Sequence, residues 1–109
     1  MLASLIIIAL IMIGMSVPFL LSKVPPNNLY GFRTKHTMSN PKVWYSANIV
    51  VSRLTIICGA LMLALAATLP FISRIKGLSN TYVTYIGLAF EVLPPIALLV
   101  TLMFYDRTL

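Results

Sequence analysis

Three apolar runs divide the chain, and one long polar stretch separates the first from the second. Leu2 to Leu21 has no side chain charged at neutral pH, Leu54 to Ile72 has none, and Tyr82 to Tyr105 has only Glu91. A helix needs about 18 to 20 apolar residues to cross about 30 Å of hydrocarbon. The pattern therefore predicts an all-α fold, an integral membrane three-helix bundle in one domain over residues 1–109. Its spans lie at about 2–21, 49–72 and 82–105, with a motif loop at 22–48.

Local signals set the boundaries. Pro18 frees a backbone carbonyl one turn earlier in the first span, and Val24-Pro25-Pro26 forces an extended exit from it. Asn27, Asn28 and Gly31 are turn formers and predict a compact turn over Asn27 to Gly31. Ser39-Asn40-Pro41 reads as a helix start, with a capping side chain before a proline at the first helical position. The second helix then begins near Pro41, well before its apolar run, and reaches about 48 Å at Ile72. Its first turns must lie at the headgroup level or in water. Trp44 and Asn48 share one face of them, and the Trp44 and Tyr45 rings suit a half-wet interface. Farther along, Ala60, Ala64 and Ala67 form a small-residue stripe, read as an intramolecular packing face ahead of a dimer face. The third helix is expected to start between Ser79 and Tyr82.

Composition agrees with a membrane protein: 60% of residues are hydrophobic and 9% charged, where a soluble domain carries about 25% charged residues. The first run is too long, and too poor in preceding basic residues, for a cleaved signal, and reads as a retained helix. The net charge of +6 belongs to orientation and to anionic lipid headgroups, with no nucleic acid partner expected. Lys23, Arg33, Lys35, Lys42, Arg53 and Arg107 fall on one side, against Arg74 and Lys76 on the other. By the positive-inside rule the long loop and the C-terminus are cytoplasmic and the N-terminus outside, in a multi-pass protein of a bacterial inner membrane.

Little chemistry is on offer. Glu91 sits near the bilayer midplane, where an acid costs about 2.5 to 3.5 kcal/mol. Either it is a proton or cation site, helped by the missing donors of Pro94 and Pro95, or it is protonated, bonded to Ser52 or Thr55, or paired with Arg53. Arg53 is expected to snorkel toward the loop instead. Cys58 is the only cysteine, which excludes an internal disulfide and leaves it as a small packing residue. With His36 the only histidine and Asp106 the only other acid, no metal set can be assembled and no cofactor is expected. A catalytic triad would require His36 and Asp106 to meet at the cytoplasmic face, and no motif points to an enzyme.

The polar stretch carries a more specific signal. "PPNNLYGFRTKHTMSNPKVWYSAN" contains a Pro-Asn turn at Pro26 and Asn27, then Tyr30-Gly31-x-Arg33-Thr34, then Ser39 and Asn40, then Trp44 with Asn48. In that order these residues resemble the signature segment of the SdpI-like (SdpI/YfhL) family of small bacterial membrane proteins, named for immunity to a secreted killing peptide. The resemblance implies a membrane protein that protects its cell from a membrane-active toxin peptide. In the family's best-known member it also implies signalling, by holding a transcriptional repressor at the membrane. This chain is similar to the three-helix motif-bearing module alone, without an additional membrane domain.

The expected function is accordingly immunity by binding, with Tyr30, Arg33, Trp44 and Asn48 as a recognition or structural cluster and a toxin peptide or regulatory protein as partner. One rival is an accessory subunit of a larger membrane complex. Another is a small ion-coupled transporter using Glu91.

Overall fold

The computed structural model describes residues 2–109. It consists of four helices: α1 (Leu2–Leu20), α2 (Lys35–Met38), α3 (Pro41–Ile72) and α4 (Asn80–Asp106). Three of them, α1, α3 and α4, are long and apolar enough to cross a membrane. The chain is a multi-pass membrane protein, drawn out to 56 × 24 × 19 Å.

Each helix end has an identifiable cause. α1 stops before the prolines reach it: Ser22 takes a left-handed conformation (φ 57°), its N–H donates to the Phe19 carbonyl, and Lys23 N–H donates to that of Pro18. That is the double backbone closure of a Schellman turn, with serine where glycine is usual. Asn40 caps α3 by accepting from the Lys42 N–H at 2.8 Å, with Pro41 in the first turn, as the sequence predicts. Ser79 caps α4 in the same way through the Tyr82 N–H. The short helix α2 lies inside what reads as loop in the sequence. Thr34 and Thr37 cap it reciprocally, side chain to backbone in both directions.

The core lies between α1 and α3. Leu5 and Ala9 meet Cys58, Met62, Ala66 and Leu69 there, so Cys58 is the buried packing residue expected. The backbones come close at Gly59, where a Cβ would stand 2.7 Å from Ile13 Cγ1 and 3.0 Å from the Ala9 carbonyl oxygen. In hydrocarbon such close approach matters, since van der Waals packing replaces the hydrophobic drive. The Ala60, Ala64 and Ala67 stripe is not this interface: all three are exposed. The packing face is instead Gly59, Met62, Ala66 and Leu69, rotated by one to three residues. α4 docks on α3 through a thinner contact that includes Ile86, Phe90 and Leu98, and Gly87 is its one buried residue.

Candidate functional site

The polar segment folds inward upon the head of α3. Asn27 organises its first turn: its Oδ1 accepts from the backbone N–H groups of Leu29 (2.8 Å) and Tyr30 (2.9 Å), and its Nδ2 donates to the Pro25 carbonyl. The turn presents the Tyr30 ring edge-on to Phe19 of α1, at 5.7 Å between centroids. Gly31 follows with φ +110°, a backbone that side-chain-bearing residues rarely adopt. A Cβ there would lie 2.8 Å from Trp44 Cη2 and 2.9 Å from Phe19 Cε1. Conformation and space both require glycine.

Trp44 and Asn48 hold the segment down. Trp44 is fully buried, and its indole N–H donates to the Val24 carbonyl at 2.9 Å. That carbonyl precedes two prolines, which have no N–H to offer. Asn48, buried one turn later, accepts from the Phe32 N–H at 2.8 Å and donates to the Trp44 carbonyl. Trp44 is therefore not the half-wet interfacial anchor its position suggests. It is the floor of a cap formed by residues 24–38, and no buried side-chain polar atom among the described residues lacks a partner.

A second tie joins the cap to α4. Thr34 Oγ1 donates to Asp106 Oδ1 at 2.6 Å, His36 Nδ1 lies 3.2 Å from the same oxygen, and Phe32 stacks on Tyr105 at 6.3 Å. His36 and Asp106 thus do meet. Both the hydroxyl and the imidazole converge on one carboxylate oxygen, however, and neither activates the other as a nucleophile–base pair requires. Sequence reasoning missed Thr37, Phe19 and Val24 as members of this assembly. Thr34-x-x-Thr37 was readable as a variant of a capping box, whereas a carbonyl partner such as Val24 leaves no mark in the sequence.

The tie has a measurable strength. Thr34→Val and Asp106→Ala each delete one partner of that 2.6 Å bond and are each expected to lower the unfolding temperature in detergent. The double variant should lower it by less than the sum of the two single shifts. Strict additivity would show that the two side chains do not interact.

The charged residues of the motif and the spans stand apart from the cap. Arg33, like Lys23, Lys35 and Lys42, is exposed. Arg53 is exposed on α3. Val51 and Thr55 of α3 share a cleft with Leu99 and Leu102 of α4, which sets the level of Arg53. Glu91, eight residues from Leu99, is then about 12 Å deeper. The two do not pair. Nor does Glu91 bond to Ser52 or Thr55, whose hydroxyls donate to the carbonyls of Asn48 and Val51 in their own helix. Among the described residues no group of three or more metal-ligating side chains comes together.

A family model described as the SdpI/YfhL protein family matches residues 23–105. The match takes in the cap, all of α3 and nearly all of α4, and leaves α1 outside. No curated protein and no solved structure matches the chain.

Proposed function

Since the chain belongs to the SdpI/YfhL protein family, we propose that it is an immunity protein of a bacterial inner membrane, protecting its cell from a membrane-active toxin peptide by binding and not by catalysis. The observation that carries this reading is the family match running through the motif segment, which is built as a cap whose buried side-chain polar atoms are all hydrogen-bonded. The surplus of exposed basic residues on the cap side supports a cytoplasmic position for it. The other surface of that side, where Arg33 and Lys35 stand free of the cap's internal bonds, is where a toxin segment or a regulatory protein would be met.

Deleting the gene and exposing cells to membrane-active peptides tests the reading. Sensitivity is expected to rise and to return to normal when the intact chain is supplied. Unchanged sensitivity across such peptides contradicts immunity. Glu91→Gln should protect as well as the parent chain, because immunity by binding needs no proton transfer at that carboxylate.

One observation favours a second reading, an accessory subunit of a larger membrane complex. Gly87 is the one fully buried residue of α4, and Glu91 lies on that helix without an ion-pair or hydrogen-bond partner among the described residues. An intramembrane acid ordinarily faces a partner or a cavity. Extraction in mild detergent distinguishes the two: a stoichiometric larger subunit arriving with the chain favours the complex.

A further inference from the structure

Below the cap, α1, α3 and α4 line an open cleft of about 360 Å³. α3 forms its back through Asn48, Ser52 and Thr55, α1 and α4 form its sides, and Gly31 and Phe32 close its upper end. We propose that this cleft is a lipid site, taking one acyl chain of an anionic phospholipid from the leaflet on the cap side, with the phosphate head on the basic residues around the cap.

Three features of the cleft fit that occupant. Its size lies within the range of small-ligand pockets, about 300 to 1,000 Å³. Its hydroxyls make no demand on an occupant: Ser16 donates to the Met12 carbonyl, Ser52 to that of Asn48 and Thr55 to that of Val51. What remains facing the space is mostly hydrocarbon, including Met12, Met15, Leu99 and Leu102, and methionine walls adapt to a flexible chain.

The charge at the upper end selects the head. Lys23 stands one turn beyond Phe19, Arg33 adjoins Phe32, and Lys35 opens α2; all three are exposed. The chain has two acidic side chains, and the one on this face, Asp106, is already taken by Thr34 and His36. The cations therefore face outward uncompensated, at the level where a phosphate would sit above a chain lying in the cleft. Phospholipid in that leaflet already has the matching orientation, head toward the cap and tail toward the midplane.

The single tryptophan makes the site observable, because Trp44 lies directly behind Gly31 at the closed end of the cleft. The protein would be reconstituted in phosphatidylcholine vesicles containing increasing fractions of phosphatidylglycerol brominated on its acyl chains, and in parallel of brominated phosphatidylcholine. Quenching by the brominated phosphatidylglycerol is expected to saturate, with its midpoint at about a tenfold lower fraction than for brominated phosphatidylcholine. Ser52→Leu, which fills the back of the cleft, should abolish the saturable component. Should that variant fail to fold, the exposed triple substitution Lys23→Gln, Arg33→Gln and Lys35→Gln should bring the two lipids to the same midpoint. Quenching that rises in proportion to fraction equally for both lipids overturns the proposal, as does a preference that survives the triple substitution. So does occupation of the cleft by a helix of a second copy, seen as cross-linking between chains through Leu99→Cys.

Discussion

Trp44→Ala is expected to destabilise the protein by about 3 to 5 kcal/mol, the range for truncating a large buried aromatic. The ring is fully buried, and nothing near it is built to collapse into the space. Gly31 is held by its own left-handed turn, and Phe19 is anchored on α1. The substitution also strands the Val24 carbonyl, which the indole N–H satisfies at 2.9 Å. Trp44→Phe separates the two contributions. It keeps most of the packing while losing the hydrogen bond, and should cost about 1 to 3 kcal/mol. Thermal unfolding in detergent, followed by circular dichroism, reads both. Coincident melting of Trp44→Ala and the parent protein would mean that the cap does not rest on this ring.

The second large effect is at Gly31. Gly31→Ala sets a methyl group within 3 Å of both Trp44 and Phe19 at a backbone angle of +110°. The left-handed conformation costs about 1 to 3 kcal/mol for a side-chain-bearing residue, and overpacking costs about 1 to 3 kcal/mol more. Only the second part depends on the neighbours. Combining Gly31→Ala with Trp44→Phe should therefore recover part of the loss, whereas combining it with a substitution outside the contact, such as Leu109→Ala, should recover none. If Gly31→Ala is as stable as the parent, the turn geometry around Asn27 is not the one described.

These two residues also show where the sequence was legible. The glycine, the asparagine turn before it and the Asn40-Pro41 helix start act over a few residues, so local chemistry names them. The three spans are equally legible, because length and uninterrupted hydrocarbon decide them. The burial of Trp44 is not of this kind. Whether an aromatic at a helix head is half wet or fully covered depends on a loop closing over it, and the loop's decisive acceptor is a backbone carbonyl that any residue type would supply. The Ala60, Ala64 and Ala67 stripe fails for another reason. In a soluble helix the polar face marks the outside, but a helix in lipid is apolar all round. Small residues at helical spacing then occur on more than one face, and only the partner helix decides which one packs. Gly59, one position away, carries the close approach.

Glu91 illustrates a limit of the same sort. Its depth follows from counting along α4, and the cost of placing it there follows from the solvent. Its neighbours do not follow from either. The depth difference between it and Arg53 depends on how α3 and α4 are staggered, which the length of α3 outside the hydrocarbon determines. Because α3 starts at Pro41 and carries the cap on its first turns, Arg53 sits high in the bundle and Glu91 low.

The central claim is that the polar and aromatic residues of the motif are turned inward to build a folded cap on α3. The hydrogen exchange of the Trp44 indole N–H tests it most directly, since one tryptophan gives one indole resonance in a nitrogen–proton correlation spectrum. Exchange slowed by at least about a thousandfold relative to a free indole, with comparable protection of the Phe32 amide, is the expected result. An indole proton that exchanges at the free rate in the folded protein would contradict it.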